Sequence, residues 1–253
     1  MNVNHSVHDY RKLISHWRHF TKTNSLRLKE FSIHNDFPVY EISNGLLDQG
    51  LPSLYLSAGI HGDEPAPCWA LLKWAKENAY AFEKIPVLIF PCLNPWGLLN
   101  NSRKDRDGND LNRVWSKKVP PLVREILDRT RNLSFCLSLH LHEDFDANGI
   151  YLYEPYLGGL NDCWADKILS AGKEVLPLDT RKKIDGRKAH KGIIRPRINN
   201  PPSDGYPEAL YFAKMRENRN FTLETPSEES FQDRILAHQC MIDKGVDLAF
   251  SNL

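Results

Sequence analysis

Short, nearly continuous apolar runs alternate along the chain with longer segments in which apolar residues recur at helical spacing. The apolar runs predict strands over residues 53–60, 86–91, 134–141, 149–153 and 220–224. Because most of them show little alternation between apolar and polar residues, they are typical of strands covered on both faces. This order of elements favours an α/β domain with a largely parallel or mixed sheet.

The segments between these runs predict helices over residues 67–78, 121–131, 162–175 and 207–214. The final helix is the clearest, because Phe231, Ile235, Ile242 and Val246 lie on one stripe and acidic residues precede it. Residues 182–207 are basic, rich in Gly and Pro and aperiodic, so they predict a long loop. Long loops in compact domains often form lids or binding loops.

Composition is ordinary for a globular protein. The chain has 253 residues, of which 41% are hydrophobic and 26% charged, so we expect one domain over residues 1–253. A fold of this length buries roughly 70 to 75% of its unfolded surface, so a bound metal would serve chemistry rather than stability. The five cysteines are odd in number and widely spaced, unlike a disulfide framework, which favours a cytoplasmic location.

The charges of the chain nearly cancel. Lys plus Arg number 33 and Asp plus Glu 32, for a net charge of +1, which argues against nucleic acid or an acidic membrane as partner. The longest apolar runs, such as residues 87–93, are far shorter than the ~20 residues of a membrane span. Residues 1–20 also lack the apolar core of a secretory signal. The sequence leaves the oligomeric state open.

Unusual polar residues follow the predicted strands at their carboxyl ends, the edge at which ligands bind in open α/β sheets. After the first strand, His61 and Glu64 supply an imidazole and a carboxylate three residues apart, which can reach one zinc ion. The flanking Gly62 allows close backbone approach. Taken alone, this H-x-x-E pattern also suits a loop histidine beside a helix-capping acid.

The second strand is followed by an N-P-x-G turn at residues 94–97 and a charged stretch over residues 102–113. Within that stretch, Asn112 and Arg113 stand near Arg103 and Arg106. These fork-shaped donors can grip a substrate carboxylate at two points. A solvated charged loop is the alternative interpretation.

Two further predicted strands end on chemically active residues. His140 and His142 share one face of the third strand, so one can bind a metal while the other supports it. The last strand ends on Glu224, whose carboxylate is costly to bury unless it is paired, solvated or takes part in binding or catalysis. Two His and one Glu form a three-ligand zinc site with a position open for water, whose proton an unliganded Glu can accept.

The motifs H-G-D-E, N-P-x-G, an Arg followed by D-L-N-R, and a strand ending in E-T-P closely resemble, in this order, those of the zinc carboxypeptidase superfamily. That superfamily includes the carboxypeptidase A-like metallopeptidases and the succinylglutamate desuccinylase/aspartoacylase branch. The resemblance spans residues 61–224. It implies a three-layer α/β/α fold with a mixed, mostly parallel central sheet, and one Zn²⁺ per chain.

The resemblance also implies a ligand set. His61, Glu64 and a histidine of the third motif would bind zinc. Superfamily members commonly have a glycine shortly after that histidine, and Gly149 then selects His142. A register that matches the Ser-x-His of the digestive enzymes selects His140 instead. We predict His142.

Catalytic roles follow from the same resemblance. Glu224 would be the general base and proton shuttle, and Arg103 would polarise the scissile carbonyl. Asn112 and Arg113 would hold the carboxylate of the substrate.

Two of these placements have competitors. Arg106 competes with Arg103 for the carbonyl, since both lie on the same charged stretch. The superfamily's mobile active-site tyrosine has no firm counterpart, and Tyr206 is the candidate, with an ordinary loop aromatic as the alternative.

We predict a zinc-dependent metallocarboxypeptidase-type hydrolase that cleaves an amide bond next to a free carboxylate by Glu-assisted attack of zinc-bound water. Residues 57–67 look like the deacylase branch, whereas the N-P-x-G and E-T-P motifs look more like peptidases. An N-acyl-amino-acid deacylase is therefore an alternative, and a non-catalytic metal or peptide-binding module is another. The expected partner is a small peptide or an N-acyl amino acid with a free carboxylate.

Overall fold

The computed structural model describes residues 6–116, 119–155, 162–198, 205–216 and 219–251. The helices are α1 (Tyr10–Thr23), α2 (Pro65–Glu77), α3 (Pro95–Asn100), α4 (Pro121–Thr130), α5 (Trp164–Gly172), α6 (Glu208–Arg216) and α7 (Phe231–Phe250). The strands are β1 (Leu26–His34), β2 (Phe37–Asn44), β3 (Ser53–Ser57), β4 (Val87–Phe90), β5 (Phe135–Asp144), β6 (Tyr151–Tyr153), β7 (Lys183–Ile184), β8 (Arg187–His190), β9 (Ile193–Ile194) and β10 (Arg219–Pro226). Short 3₁₀ helices cover Gly45–Gln49, Ala79–Glu83 and Leu111–Arg113.

The ten strands form one sheet in the order β1-β2-β4-β3-β5-β10-β6-β9-β8-β7. Strands β4, β3, β5 and β10 run parallel at its centre, and β6 runs parallel to β9. The remaining neighbours pair antiparallel. The predicted mixed sheet is confirmed, but its parallel part is narrower than expected because short turns reverse the chain at both edges.

Alternate residues of the central strands face two different cores. Leu54 and Leu56 of β3 point to a core packed by α1, α2, α5 and α7, whereas Tyr55 points to a core packed by α4 and α6. A sheet covered on both faces by helices is a three-layer α/β/α structure. The predicted fold class is confirmed, and the apolar runs owe their continuity to this two-sided burial.

All five predicted strands are present, with shifted ends. The largest shifts are three residues each: β3 stops at Ser57 rather than at residue 60, and β5 continues past the predicted end at Leu141 to Asp144. The extension crosses charged residues, and its backbone stays in the ladder because β10 pairs with it in parallel as far as Pro226. The carboxyl end of β5 is therefore held in register with the carboxyl end of β10.

The N-terminal α1 and the β1–β2 hairpin were absent from the sequence prediction. Asp9 caps the start of helix α1, and its side chain accepts a hydrogen bond from the backbone N–H of Lys12. The buried residues Tyr10, Leu13, Ile14, Trp17 and Phe20 of α1 recur at helical spacing, so its signal was present in the sequence and was missed, whereas β1 buries only part of its length. The hairpin turns at Asn35 and Asp36, which both adopt positive φ angles.

The prediction of a long loop over residues 182–207 was wrong in part. The segment contains the three short strands β7, β8 and β9, and residues 199–204 lie outside the described part of the chain. Its glycines mark turns, since Gly186 and Gly192 have φ angles of 68° and 76°. Ile184 and Ile194 pack in a small separate core, which gives the strands their own support.

Candidate active site

A cavity of about 150 Å³ opens at the carboxyl ends of β3, β5 and β10. Its described lining residues are His61, Glu64, Arg103, Asn112, Arg113, His142, Glu143, Asp144, Tyr151, Tyr153, Pro155, Asp185, Arg187, Pro196, Pro207, Ala209, Leu210, Thr222 and Glu224. The edge at which sequence reasoning placed the chemistry is the edge at which the cavity lies.

The loop after β3 carries His61 into the cavity because two glycines let it pack tightly. Gly59 has a φ angle of 62°, which favours glycine. A Cβ atom on Gly62 would lie 1.9 Å from the carbonyl carbon of Gly97, so only glycine fits there. The Gly62 N–H also donates to the Ser102 carbonyl at 3.0 Å. The H-G-D-E loop is thus packed tightly against the N-P-x-G turn.

His61, Glu64 and His142 converge on one point. Nδ1 of His61 lies 2.6 Å from Oε1 of Glu64, and Nδ1 of His142 lies 2.9 Å from Oε2 of the same carboxylate. One ligand atom from each residue lies within 4.8 Å of the others, and the two rings are 4.9 Å apart at their centroids. Among the described residues, this is the group of His, Cys, Asp and Glu side chains arranged to hold a metal ion.

His140, the alternative ligand, faces a different group. Its Nδ1 lies 3.0 Å from Oγ of Ser57 and 3.1 Å from Oε2 of Glu208. It is two residues from His142 on the same strand face, yet the structure places it below the cavity and not among the described residues that line it. The geometry therefore favours His142 as the third ligand.

The charge state of Glu64 is set by competing effects. Complete burial opposes ionisation, but the adjacent His61 and His142 outweigh it and hold the pKa of Glu64 below its ordinary range. Burial also opposes protonation of His61, whose pKa is raised overall by Glu64 and Asp110. A carboxylate held ionised between two imidazoles is a donor set that suits a cation.

Asp110 is a member of the site that the sequence reasoning did not single out. Its Oδ1 lies 3.1 Å from Nε2 of His61, the ring nitrogen that faces away from Glu64. A carboxylate in this position fixes the tautomer and orientation of a metal-binding imidazole. The D-L-N-R motif contained this residue, so an acid two positions before Asn112 was the available signal.

Arg103 and Arg106, the two candidates for polarising the carbonyl, lie in different places. Nε of Arg103 donates to Oδ2 of Asp110 at 3.1 Å, and its Nη1 lies 3.4 Å from Oε1 of Glu64, so the guanidinium borders the metal-binding group. Arg106 instead pairs with Asp36 at the tip of the β1–β2 hairpin. Arg103 lines the cavity, whereas Arg106 is not among its described lining residues.

Asn112 and Arg113 both line the cavity, as predicted for a carboxylate grip. They belong to the 3₁₀ turn Leu111–Arg113, which begins at Asp110. The carboxylate of Asp110 accepts from the backbone N–H of Asn112 at 2.9 Å. The same acid therefore orients the His61 ring and starts the turn that presents Asn112 and Arg113.

Glu224 lies beside the metal-binding group. It is paired with His142 in the parallel β5–β10 ladder and with Tyr151 on its other side. Burial raises the pKa of Glu224 well above its ordinary value, and the charges of Glu64, Asp144 and Asp185 raise it further. A carboxyl group beside a metal-binding group and on the wall of a cavity is placed to exchange a proton with a bound molecule.

The structure does not bring Tyr206 into the cavity. Its side chain is 7% exposed and packs in the core between α4, α6 and the sheet, and its hydroxyl donates to the Leu210 carbonyl at 3.4 Å. Tyr151 and Tyr153 line the cavity instead. These two were missed, although the predicted strand 149–153 placed them on one face.

The strands within the predicted loop 182–207 contribute to the far wall of the cavity. Asp185, in the β7–β8 turn, and Arg187, the first residue of β8, line it, and Tyr153 donates to Asp185 at 2.5 Å. The expectation that this segment helps to form a binding site therefore agrees with its position. The individual residues could not be chosen because the segment has no periodicity.

The residues present fit a zinc ion. Two imidazole nitrogens and a carboxylate oxygen are the donor set of many catalytic zinc sites, and Asp110 supports one of the imidazoles.

Fold and site together define the class: the chain has the three-layer fold of the zinc carboxypeptidase superfamily, with a His-Glu-His group at its carboxyl edge. Residues 50–134 match the family model of the succinylglutamate desuccinylase/aspartoacylase catalytic domain. This match supports the resemblance drawn from the motifs over residues 50–134. No curated protein sequence matches the chain.

Solved structures with the same fold cover nearly the whole chain. A candidate metallopeptidase from Shewanella denitrificans OS217 is 20% identical, with a TM-score of 0.85 over 96% of this chain and 91% of that one. A metallo-carboxypeptidase from Burkholderia cenocepacia is 14% identical, with a TM-score of 0.72 over 96% and 69%. Carboxypeptidase A from Helicoverpa armigera is 15% identical, with a TM-score of 0.71 over 100% and 77%. At these identities the likeness establishes the fold.

Proposed function

We propose that this protein is a zinc-dependent hydrolase of the metallocarboxypeptidase type, which cleaves an amide bond next to a free carboxylate. The observation that carries the proposal is the convergence of His61, Glu64 and His142 within 4.8 Å, in the cavity that Glu224 also lines. His61, Glu64 and His142 would hold the ion. When bound, zinc supplies a Lewis acid and lowers the pKa of a coordinated water.

Glu224 performs the proton transfers in this proposal. Its carboxylate takes a proton from the attacking water and returns it to the nitrogen of the leaving amine. The raised pKa of Glu224 makes the protonated form accessible for the second transfer. Burial among protein groups keeps bulk water from competing for that proton.

Arginines and Asn112 bind and polarise the substrate. Arg103 borders Glu64 and is partly exposed to the cavity, so it can donate to a carbonyl oxygen on which negative charge develops. Asn112 and Arg113 offer an amide and a guanidinium to a free carboxylate. The carboxylate fixes which amide bond reaches Glu224.

A deacylase of N-acyl amino acids is the second candidate, favoured by the match of residues 50–134 to the desuccinylase/aspartoacylase model. Its chemistry uses the same residues in the same roles. The two candidate substrates differ in which side of the amide bond carries the larger group. They therefore differ in which substrate group would contact the cavity wall formed by Asp185 and Arg187.

The test is a parallel assay of zinc-loaded protein on C-terminal peptide substrates, murein tripeptide and N-acyl amino acids, with chelator-treated protein and Glu224→Gln as controls. Release of an amino acid from peptides supports the peptidase, and release of acid from N-acyl amino acids supports the deacylase. Protein that binds zinc stoichiometrically but hydrolyses none of these substrates would favour the non-catalytic module.

The proposal includes a cytoplasmic location. The five cysteines are all free in the structure, as expected of a protein in a reducing compartment. Within the described ranges, no helix has the length and apolar character needed to cross a membrane. Expression with a compartment-resolved tag in a native host tests this location.

A further inference from the structure

Directly below the cavity lies a second group of polar residues, which we call the closed cluster: Tyr55, Ser57, His140 and Glu208. Each of these side chains is at most 2% exposed. Tyr55 donates to Oε1 of Glu208 at 2.6 Å and Ser57 donates to Oε2 at 3.0 Å. Nδ1 of His140 lies 3.1 Å from the same Oε2. None of these contacts has a role in the proposed mechanism.

A buried carboxylate is costly unless its oxygens accept hydrogen bonds, and here both do. The donors come from the neighbouring central strands β3 and β5, whereas Glu208 is the first residue of α6. The carboxylate therefore ties the start of α6 to the middle of the sheet. Pro207, Ala209 and Leu210, on either side of Glu208, line the cavity above.

The backbone of Glu208 makes the contact that matters for the site. Its N–H donates to Oδ1 of Asn112 at 2.9 Å. Because a backbone N–H can only donate, the atom that faces it must be the carbonyl oxygen of the Asn112 amide. The NH₂ end of that amide is thereby left for the cavity that Asn112 lines.

We propose that Glu208 is a positioning residue: its buried side chain fixes its own backbone N–H, which orients the Asn112 amide with its NH₂ group toward the carboxylate of the substrate. The inference rests on the proposed function only for the identity of that carboxylate. A preoriented donor binds without the entropic cost of ordering it on each encounter. The orientation of Asn112 is thus set from below the cavity, by residues that do not touch the substrate.

The decisive variant is Glu208→Gln, which keeps the shape of the side chain. Its amide has one acceptor oxygen, so an NH₂ group must face at least one of the donors Tyr55, Ser57 and His140. We expect the KM for a carboxylate substrate to rise about tenfold with kcat changed less than about twofold. The same substrate with its carboxylate replaced by a primary amide should show no such rise.

A double-mutant cycle separates positioning from general damage. In an Asn112→Ala background, Glu208→Gln should raise KM no further, since the group through which it acts is gone. Glu41→Gln is the matched control, because Glu41 is an equally buried carboxylate paired with Arg129 away from the cavity. It should lower stability without changing KM. An equal rise of KM from Glu208→Gln in both backgrounds would overturn the proposal.

A second measurement does not depend on catalysis. The side-chain NH₂ signals of Asn112 in an ¹H–¹⁵N correlation spectrum are identified by their loss in Asn112→Ala. These signals should shift or broaden in Glu208→Gln. They should shift less in Tyr55→Phe, which removes one donor to Glu208. Tyr55→Phe replaces Glu208→Gln in this measurement if Glu208→Gln does not fold. Unchanged Asn112 signals in the folded variant would overturn the inference. If the wild type cleaves no substrate, the proposed function fails while this spectrum still decides the role of Glu208.

Discussion

Two histidines on one face of β5, two residues apart, belong to groups of opposite character. His140 belongs to the closed cluster, where protein donors meet both oxygens of Glu208. His142 belongs to an open group with His61 and Glu64, which borders the cavity. The two histidines are 1% and 3% exposed, so burial does not distinguish them. The difference lies in what the surrounding loops bring to each ring.

In the closed cluster, donors outnumber carboxylates, and a single acid is satisfied by three protein groups. In the open group one carboxylate, Glu64, contacts two imidazole rings beside the cavity, and Asp110 supports one of those rings. Two imidazoles and a carboxylate that converge next to a cavity suit a metal ion, whereas a carboxylate enclosed by protein donors suits a structural anchor. The same residue types thus become a metal-binding group or an anchor according to their partners.

The largest expected effect separates the two histidines directly. His142→Ala should lower zinc affinity by about a hundredfold or more and abolish hydrolysis, since one of three ligands is lost. His140→Ala should keep zinc but destabilise the fold by about 2 to 3 kcal/mol, because the buried Glu208 carboxylate loses one of its polar partners. Metal content by emission spectroscopy and urea unfolding measure the two effects. Zinc lost in His140→Ala and kept in His142→Ala would reverse the assignment.

Glu224→Gln should separate chemistry from metal binding within the open group. Turnover should fall by about 10² to 10⁴, because the amide cannot accept a proton from water. Zinc content should match the wild type, since Glu224 is not a member of the ligand group. Substantial residual turnover at saturating substrate would remove Glu224 from the role of base.

Asp110→Asn tests how far the open group depends on its supporting acid. Zinc affinity should fall by about 10- to 100-fold, because the carboxylate that orients His61 is lost. Asp107→Asn, on the same loop but bonded to Asn35 at the hairpin tip, is the matched control. Competition with a coloured chelator measures both affinities. Equal losses in the two variants would point to loop damage rather than to support of His61.

The smallest effect concerns a third buried histidine. Burial lowers the pKa of His238 to about 3, whereas an unfolded histidine titrates near 6.5. Between these values the unfolded chain binds the extra proton, so the free energy of unfolding falls with decreasing pH, by up to about 1.4 kcal/mol per pH unit from this residue. This contribution is complete above pH 6.5.

His238→Gln should flatten that dependence, because glutamine does not titrate and can still donate to the His142 carbonyl that His238 contacts at 3.0 Å. Urea unfolding at pH 5 and pH 7 gives the difference for each protein. Parallel slopes in the variant and the wild type would mean that His238 does not carry the effect.

Much of the fold was predictable because two-sided burial leaves a strong signal in the central strands. The apolar runs at β3, β4, β5 and β10 gave both their existence and their approximate ends. Strand β1 was missed because polar residues interrupt its pattern of burial, whereas helix α1 was overlooked although its apolar residues recur at helical spacing. The short strands β7 to β9 were missed because two to four residues show no period.

The candidate site was predictable where motifs carried it. Seven of the predicted site residues line the cavity: His61, Glu64, His142, Arg103, Asn112, Arg113 and Glu224. Tyr206 does not, because an aromatic ring beside α6 gains more from burial in the core than from exposure. Asp110, Tyr151 and Tyr153 were overlooked because an acid in a charged loop and tyrosines in a strand have ordinary structural explanations.

The sequence by itself determined which residue types stand at the ends of the central strands, since strand periodicity and local motifs are properties of neighbouring residues. Only the tertiary structure decided which histidine joins Glu64 and which joins Glu208. The contact between Tyr55 and Glu208 joins residues 153 positions apart. No local pattern records such a pair, because it forms only when β3, β5 and α6 pack together and a buried charge must find its donors.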